Sequence, residues 1–144
     1  MKTSFRSLAA SAAVLLALAP TGPALAQAQV TAQAPQRFEL PCYDTSGRPI
    51  EALVIDFAAG VGFPTPTGSA QFAQPIRGTA LEIVIPVRTP QANYDLVLYR
   101  LQGALSRWTP SGEPVAGLGN CAMTEPFVWA WKNAVRRGRG ESFP

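Results

Sequence analysis

The chain carries no histidine and only two cysteines, Cys42 and Cys121, so most catalytic and metal chemistry lacks its essential side chains. Histidine-based triads, cysteine–histidine dyads and the common zinc-hydrolase sites all need an imidazole as base or ligand. Two thiolates alone leave a zinc coordination sphere incomplete, so no metal and no cofactor is expected. There is no Ser-x-x-Lys sequence, no Gly-x-Ser-x-Gly elbow and no phosphate-binding loop. Gly60-Val61-Gly62 lacks the third glycine of a dinucleotide-binding turn and reads as an ordinary turn. Paired carboxylates are the one catalytic arrangement left, because glycoside hydrolysis needs only two at a set separation. The nearest pair, Glu51 and Asp56, differ in strand parity and would point to opposite faces.

The cysteines have a different use. In an oxidising compartment an even count favours a disulfide, and Cys42–Cys121 is the single intramolecular pairing. The compartment is read from the other end of the chain. Lys2 and Arg6 precede an apolar run of 12 residues from Leu8 to Ala19, shorter than the roughly 20 that cross a bilayer. Pro20 and Gly22 break it, and Ala24-Leu25-Ala26 supplies small residues for cleavage after Ala26. Residues 1–26 are therefore expected to be a signal peptide, with no membrane-spanning segment after it. The net charge of +3 falls to near +1 once Lys2 and Arg6 are removed, too little to suggest nucleic acid.

Residues 27–36 are Ala/Gln-rich and read as a flexible lead-in to one domain from Arg37 onward. Short strands are expected at Arg37–Cys42 and about Ile50–Phe57, joined by the turn Asp44-Thr45-Ser46-Gly47. Ala58–Gln74, with its glycines and prolines, reads as a long loop. Leu81–Val87 should place Leu81, Ile83, Ile85 and Val87 on one face, with Pro86 marking an edge or strand end. Tyr94–Leu101 and Ala104–Thr109 should form a hairpin around Gln102-Gly103, setting Trp108 opposite Val97 and on the face of Tyr99. Ser111-Gly112 and Gly117–Asn120 read as turns.

The last element has helical period. Thr124-Glu125-Pro126 is a helix start, Arg136 and Arg137 suit the last turn, and Gly138 suits the stop. Phe127, Val128, Trp131, Ala134 and Val135 form one apolar stripe, and Trp129 falls away from it beside Lys132, Asn133 and Arg136.

The expected architecture is mainly β (α+β): a small antiparallel meander or partly open barrel with one C-terminal helix over about 124–137. The core should include Leu53, Ile55, Ile83, Ile85, Leu96, Leu98, Phe127 and Trp131, with the helix covering one side of the sheet. A cysteine early, a meander and a cysteine late resemble, in outline, small periplasmic β-barrels such as the C-type lysozyme inhibitors. The Ser/Gly-rich inhibitory loop of that family has no counterpart, so no residue role carries over. The functional expectation is an exported, non-catalytic binding module with a candidate surface of Trp129, Lys132, Arg136, Arg137 and Arg139. An exposed tryptophan among cations suits an envelope or extracellular protein partner. The alternative is contact with anionic lipid or cell-wall polymer, and a carboxylate-dependent hydrolase stands third.

Overall fold

In the computed structural model, which describes residues 35–138, two antiparallel sheets and one helix enclose a shared core. The expected signal at 1–26, all but the last two residues of the lead-in, and Arg139 lie outside the described residues. The smaller sheet has the order β1 (Arg37–Leu40), β3 (Ala52–Asp56), β4 (Val61–Thr65), β5 (Gln74–Pro75). The larger runs β2 (Cys42–Tyr43), β10 (Pro114–Cys121), β9 (Ala104–Trp108), β8 (Ala92–Tyr99), β7 (Glu82–Thr89), β6 (Arg77–Gly78). From β7 to β10 the chain is a simple meander, and the sheets do not close into a barrel.

Alternation explains the core. Ile83, Ile85 and Val87 of β7 face inward with Leu96 and Leu98 of β8, and Leu40, Leu53 and Ile55 meet them from the smaller sheet. All eight expected core residues are buried. The helix α1 (Glu125–Arg137) is not the sole cover of the large sheet, because the smaller sheet shares that role. The Thr124 hydroxyl accepts a hydrogen bond from the Phe127 amide, Pro126 sits in the first turn, and Gly138 caps the end. Phe127 packs edge-on to Phe38 at 5.4 Å and to Trp131 at 5.9 Å, while the Trp131 indole donates to the Thr79 carbonyl at 2.7 Å.

Cys42 and Cys121 form a disulfide, and they are register partners on neighbouring strands. Pro41 divides the expected first strand: β1 joins the smaller sheet and β2 the larger. The turn at Asp44–Gly47 forms as expected, with the Asp44 carboxylate accepting from the Ser46 and Arg48 amides.

Several expectations need correction. Ala58–Gln74 is not a structureless loop, since it contains β4, a short 3-10 turn at Ala70–Phe72 and the start of β5. Pro64 fits because β5 pairs only with Val61 and Gly62, leaving the Pro64 end of β4 bonded on one side alone. Gly62 lies in the strand as well, where a Cβ would come within 3.0 Å of Ile76. Leu81 precedes β7 and is 73% exposed, outside the alternating face. The edge reading of Pro86 holds for that half of β7, since β6 pairs only with Ile83 and Val84.

The hairpin register is also displaced. Gln102 and Gly103 do take positive φ, but the link is four residues long, Arg100–Gly103, and the ladder pairs Trp108 with Asp95 and Val97 with Ser106. The shift is by two residues, so Trp108 keeps the face of Tyr99. Gly117–Asn120 is strand and not turn. It belongs to β10, whose pairing with β9 shifts register between Pro114 and Ala116 and again between Gly117 and Gly119. Gly119 has φ +147°, and a Cβ there would overlap the Tyr43 carbonyl, so the backbone closes on β2 only because the side chain is missing.

Candidate functional site

The expected contact surface lies on the outer side of α1. Core burial of Phe127, Ala130, Trp131, Ala134 and Val135 fixes the helix rotation, and that rotation aims Trp129 outward. Trp129 is 55% exposed, with Lys132, Arg136 and Arg137 exposed on the same helix. Trp129 and Lys132 are three residues apart, Trp129 and Asn133 four, so they are neighbours on the surface. The Asn133 amide donates to the Trp129 carbonyl at 3.0 Å. No described carboxylate lies within 4.0 Å of Lys132, Arg136 or Arg137. A cavity of about 260 Å³ separates the helix from the β3–β4 turn, between Ala134 and Ala58–Gly60, but Trp129 does not line it.

Glu51 immediately precedes β3 and Asp56 ends it, about 16 Å apart at roughly 3.3 Å per residue of extended chain. Asp56 holds the following turn by accepting the Ala58 and Ala59 amides, both at 2.9 Å. That is a backbone role. Glu51 is placed quite differently.

Glu51 borders a second cavity, of about 200 Å³, on the core face of β8, β9 and β10 beneath the β2–β3 connection. Leu96, Leu105, Leu118 and Ile50 supply the apolar wall, and Glu51, Tyr94 and Arg107 the polar one. Alternation puts Tyr94 and Leu96 of β8 on the same side as Leu105 and Arg107 of β9. The Thr67 hydroxyl donates to one Glu51 carboxylate oxygen, whereas the other, Oε2, is buried with no hydrogen-bond partner. The Arg107 guanidinium lies over the Tyr94 ring, 5.3 Å from its centroid. Burial pushes the Tyr94 phenol above its ordinary value of 10.0, and the nearby Glu51 carboxylate adds to the rise; Arg107 and the Thr67 hydroxyl oppose it.

Sequence spacing did not reveal this cluster. Its polar members come from four separate segments and share no motif. The one available signal was parity, which places Tyr94 with the inward residues of its strand.

Among the described residues, no group of three or more acidic or cysteine side chains could hold a metal. The chain matches no protein-family model, no curated protein and no solved structure.

Proposed function

We propose that the chain is an exported, non-catalytic binding module that meets an envelope or extracellular protein through the outer face of α1. One observation carries the reading: a 55% exposed tryptophan stands beside cations that no described carboxylate neutralises. Tryptophan and arginine are the side chains that most often dominate protein contacts, because each buries much area while keeping a polar handle. The cations suit a partner that sets acidic groups around an apolar pocket. The Cys42–Cys121 disulfide is consistent with a periplasmic or secreted location, as is the lack of a described helix long and apolar enough to cross a membrane. Cleavage after Ala26 belongs to the same reading.

Photo-crosslinking in the envelope tests it. A photoreactive residue at Lys132 should give a discrete protein adduct that is lost in Trp129→Ala. The same probe at Gln91, exposed beyond the end of β7, should give none. Equal labelling from both positions, or none from Lys132, would refute the reading. The second reading, contact with anionic lipid or cell-wall polymer, is favoured by the excess of positive charge itself. It predicts sedimentation with anionic vesicles that salt and Arg136→Glu both weaken. A carboxylate-dependent hydrolase has the least support, because Glu51 and Asp56 are separated by the length of β3.

A further inference from the structure

The outer face of the larger sheet, turned away from the core, carries a groove of about 320 Å³ that shares no residue with α1 or with the Glu51 cavity. Parity builds it. Leu98 and Leu105 point into the core, so Tyr99, Ser106 and Trp108 project from the opposite side of β8 and β9. Trp108 pairs with Asp95, four residues from Tyr99, which sets Tyr99 and Trp108 about 13 Å apart along the strands at roughly 3.3 Å per residue. Ser106 and its β10 partner Gly117, both small, lie between them as a floor. Pro114 and Val115 line the β10 side, where a register shift leaves Val115 without a partner on β9 and bends the strand.

The lining selects among ligands. None of its side chains is charged, so neither an anionic lipid nor an acidic peptide meets a counter-ion there. The Tyr99 and Ser106 hydroxyls have no hydrogen-bond partner among the described residues, and neither is closed off from solvent. Trp108 differs: its indole N–H is buried, so it offers the groove ring carbons only. The volume is about twice the roughly 150 Å³ that holds a benzene ring, which is room for about two six-membered rings.

We infer that this groove binds a neutral oligosaccharide. Its C–H faces would pack on the Tyr99 and Trp108 rings, whose negative π faces attract polarised C–H groups. Its hydroxyls would replace water on the Tyr99 and Ser106 hydroxyls and lie over the Gly117 floor. A proline-rich peptide also seats on aromatic rings, but it presents mainly acceptor carbonyls, and the buried Trp108 N–H cannot meet them.

Calorimetric titration of the purified protein with maltotriose, cellotriose and triacetylchitotriose tests the inference. At least one should bind saturably, with an affinity that salt leaves unchanged because no charge is paired. Gly117→Leu is the sharpest variant. A Cβ at Gly117 meets no atom within 4 Å, so the strand accepts the side chain while the groove is filled, and affinity should fall by about tenfold or more. Tyr99→Phe should weaken binding about three- to tenfold, the range of one neutral hydrogen bond, and keeps the test decisive if Gly117→Leu folds poorly. No saturable binding by any of the three sugars would overturn the inference. So would unchanged affinity in both variants, or tighter binding of deca-L-proline than of the best trisaccharide. Trp129→Ala should leave the titration unchanged; a loss there would move the sugar to the helix face and sink the assignment.

Discussion

Reducing the Cys42–Cys121 disulfide should lower the melting temperature by about 20 °C. The two cysteines are 79 residues apart, so the cross-link closes most of the folded chain into one loop. On the chain-entropy model such a loop restricts the unfolded state by about 4.5 kcal/mol at 25 °C. Melting entropy runs at about 2.1 cal/mol/K per residue, or roughly 0.22 kcal/mol/K for a domain of about 100 residues, which converts the loss into that shift. β2 pairs with β10 through two residues only, and a bridge from Tyr43 to Pro49 and the Ile50 amide on the Cys42 carbonyl are its other backbone ties. Calorimetric scans with and without reductant give the measurement. Cys42→Ala/Cys121→Ala supplies the control, because both side chains are buried and their loss adds a packing term to the cross-link term. Agreement between the reduced protein and the variant assigns the loss to the cross-link. A reduced protein melting within about 5 °C of the oxidised one would refute the loop-entropy reasoning.

Two further outcomes follow from polar groups. Asp95 is 4% exposed and bonds Arg88 at 2.7 Å and Arg77 at 3.4 Å; Asp95→Ala should cost about 2–3 kcal/mol by urea denaturation. Arg77→Ala should cost under about 1 kcal/mol, because its side chain is 68% exposed. Tyr94 titrates above its ordinary value of 10.0, so the folded state favours the neutral phenol. Stability from this group is complete below pH 10 and is lost as pH rises through the folded value; Tyr94→Phe should flatten that decline in urea melts across the alkaline range.

The elements legible in the sequence were those with redundant local signals. The helix had a capping threonine, an early proline, terminal arginines and a five-residue apolar stripe, all consistent with one answer. The cysteine pairing followed from counting. β4 was hidden because Gly62 and Pro64 look like loop residues, and only tertiary context shows why they are tolerated: close packing over Ile76 at one, a missing neighbour strand at the other. The displaced hairpin has the same origin. Gln102-Gly103 does turn the chain, but the ladder resumes only at Leu98–Leu105, a displacement no local spacing encodes. The cavity was the least legible feature, because Glu51, Thr67, Tyr94 and Arg107 meet only when the β2–β3 connection is laid across the meander.

The outer strands of the two sheets bear on how the protein avoids its own kind. An open sheet edge is a row of unused donors and acceptors onto which another chain can zip. Three of the four outermost strands, β2, β5 and β6, are only two residues long, and β5 contains Pro75. The half of β7 that β6 leaves bare carries Pro86, which has no donor to offer. The fourth, β1, alternates Arg37 and Glu39 with its inward residues, so its outer face is charged. The Pro114–Gly119 stretch of β10 that β2 leaves unpaired is broken by two register shifts, so each margin is short, charged, proline-bearing or bulged, and growth into strand-swapped or fibrillar assemblies is disfavoured.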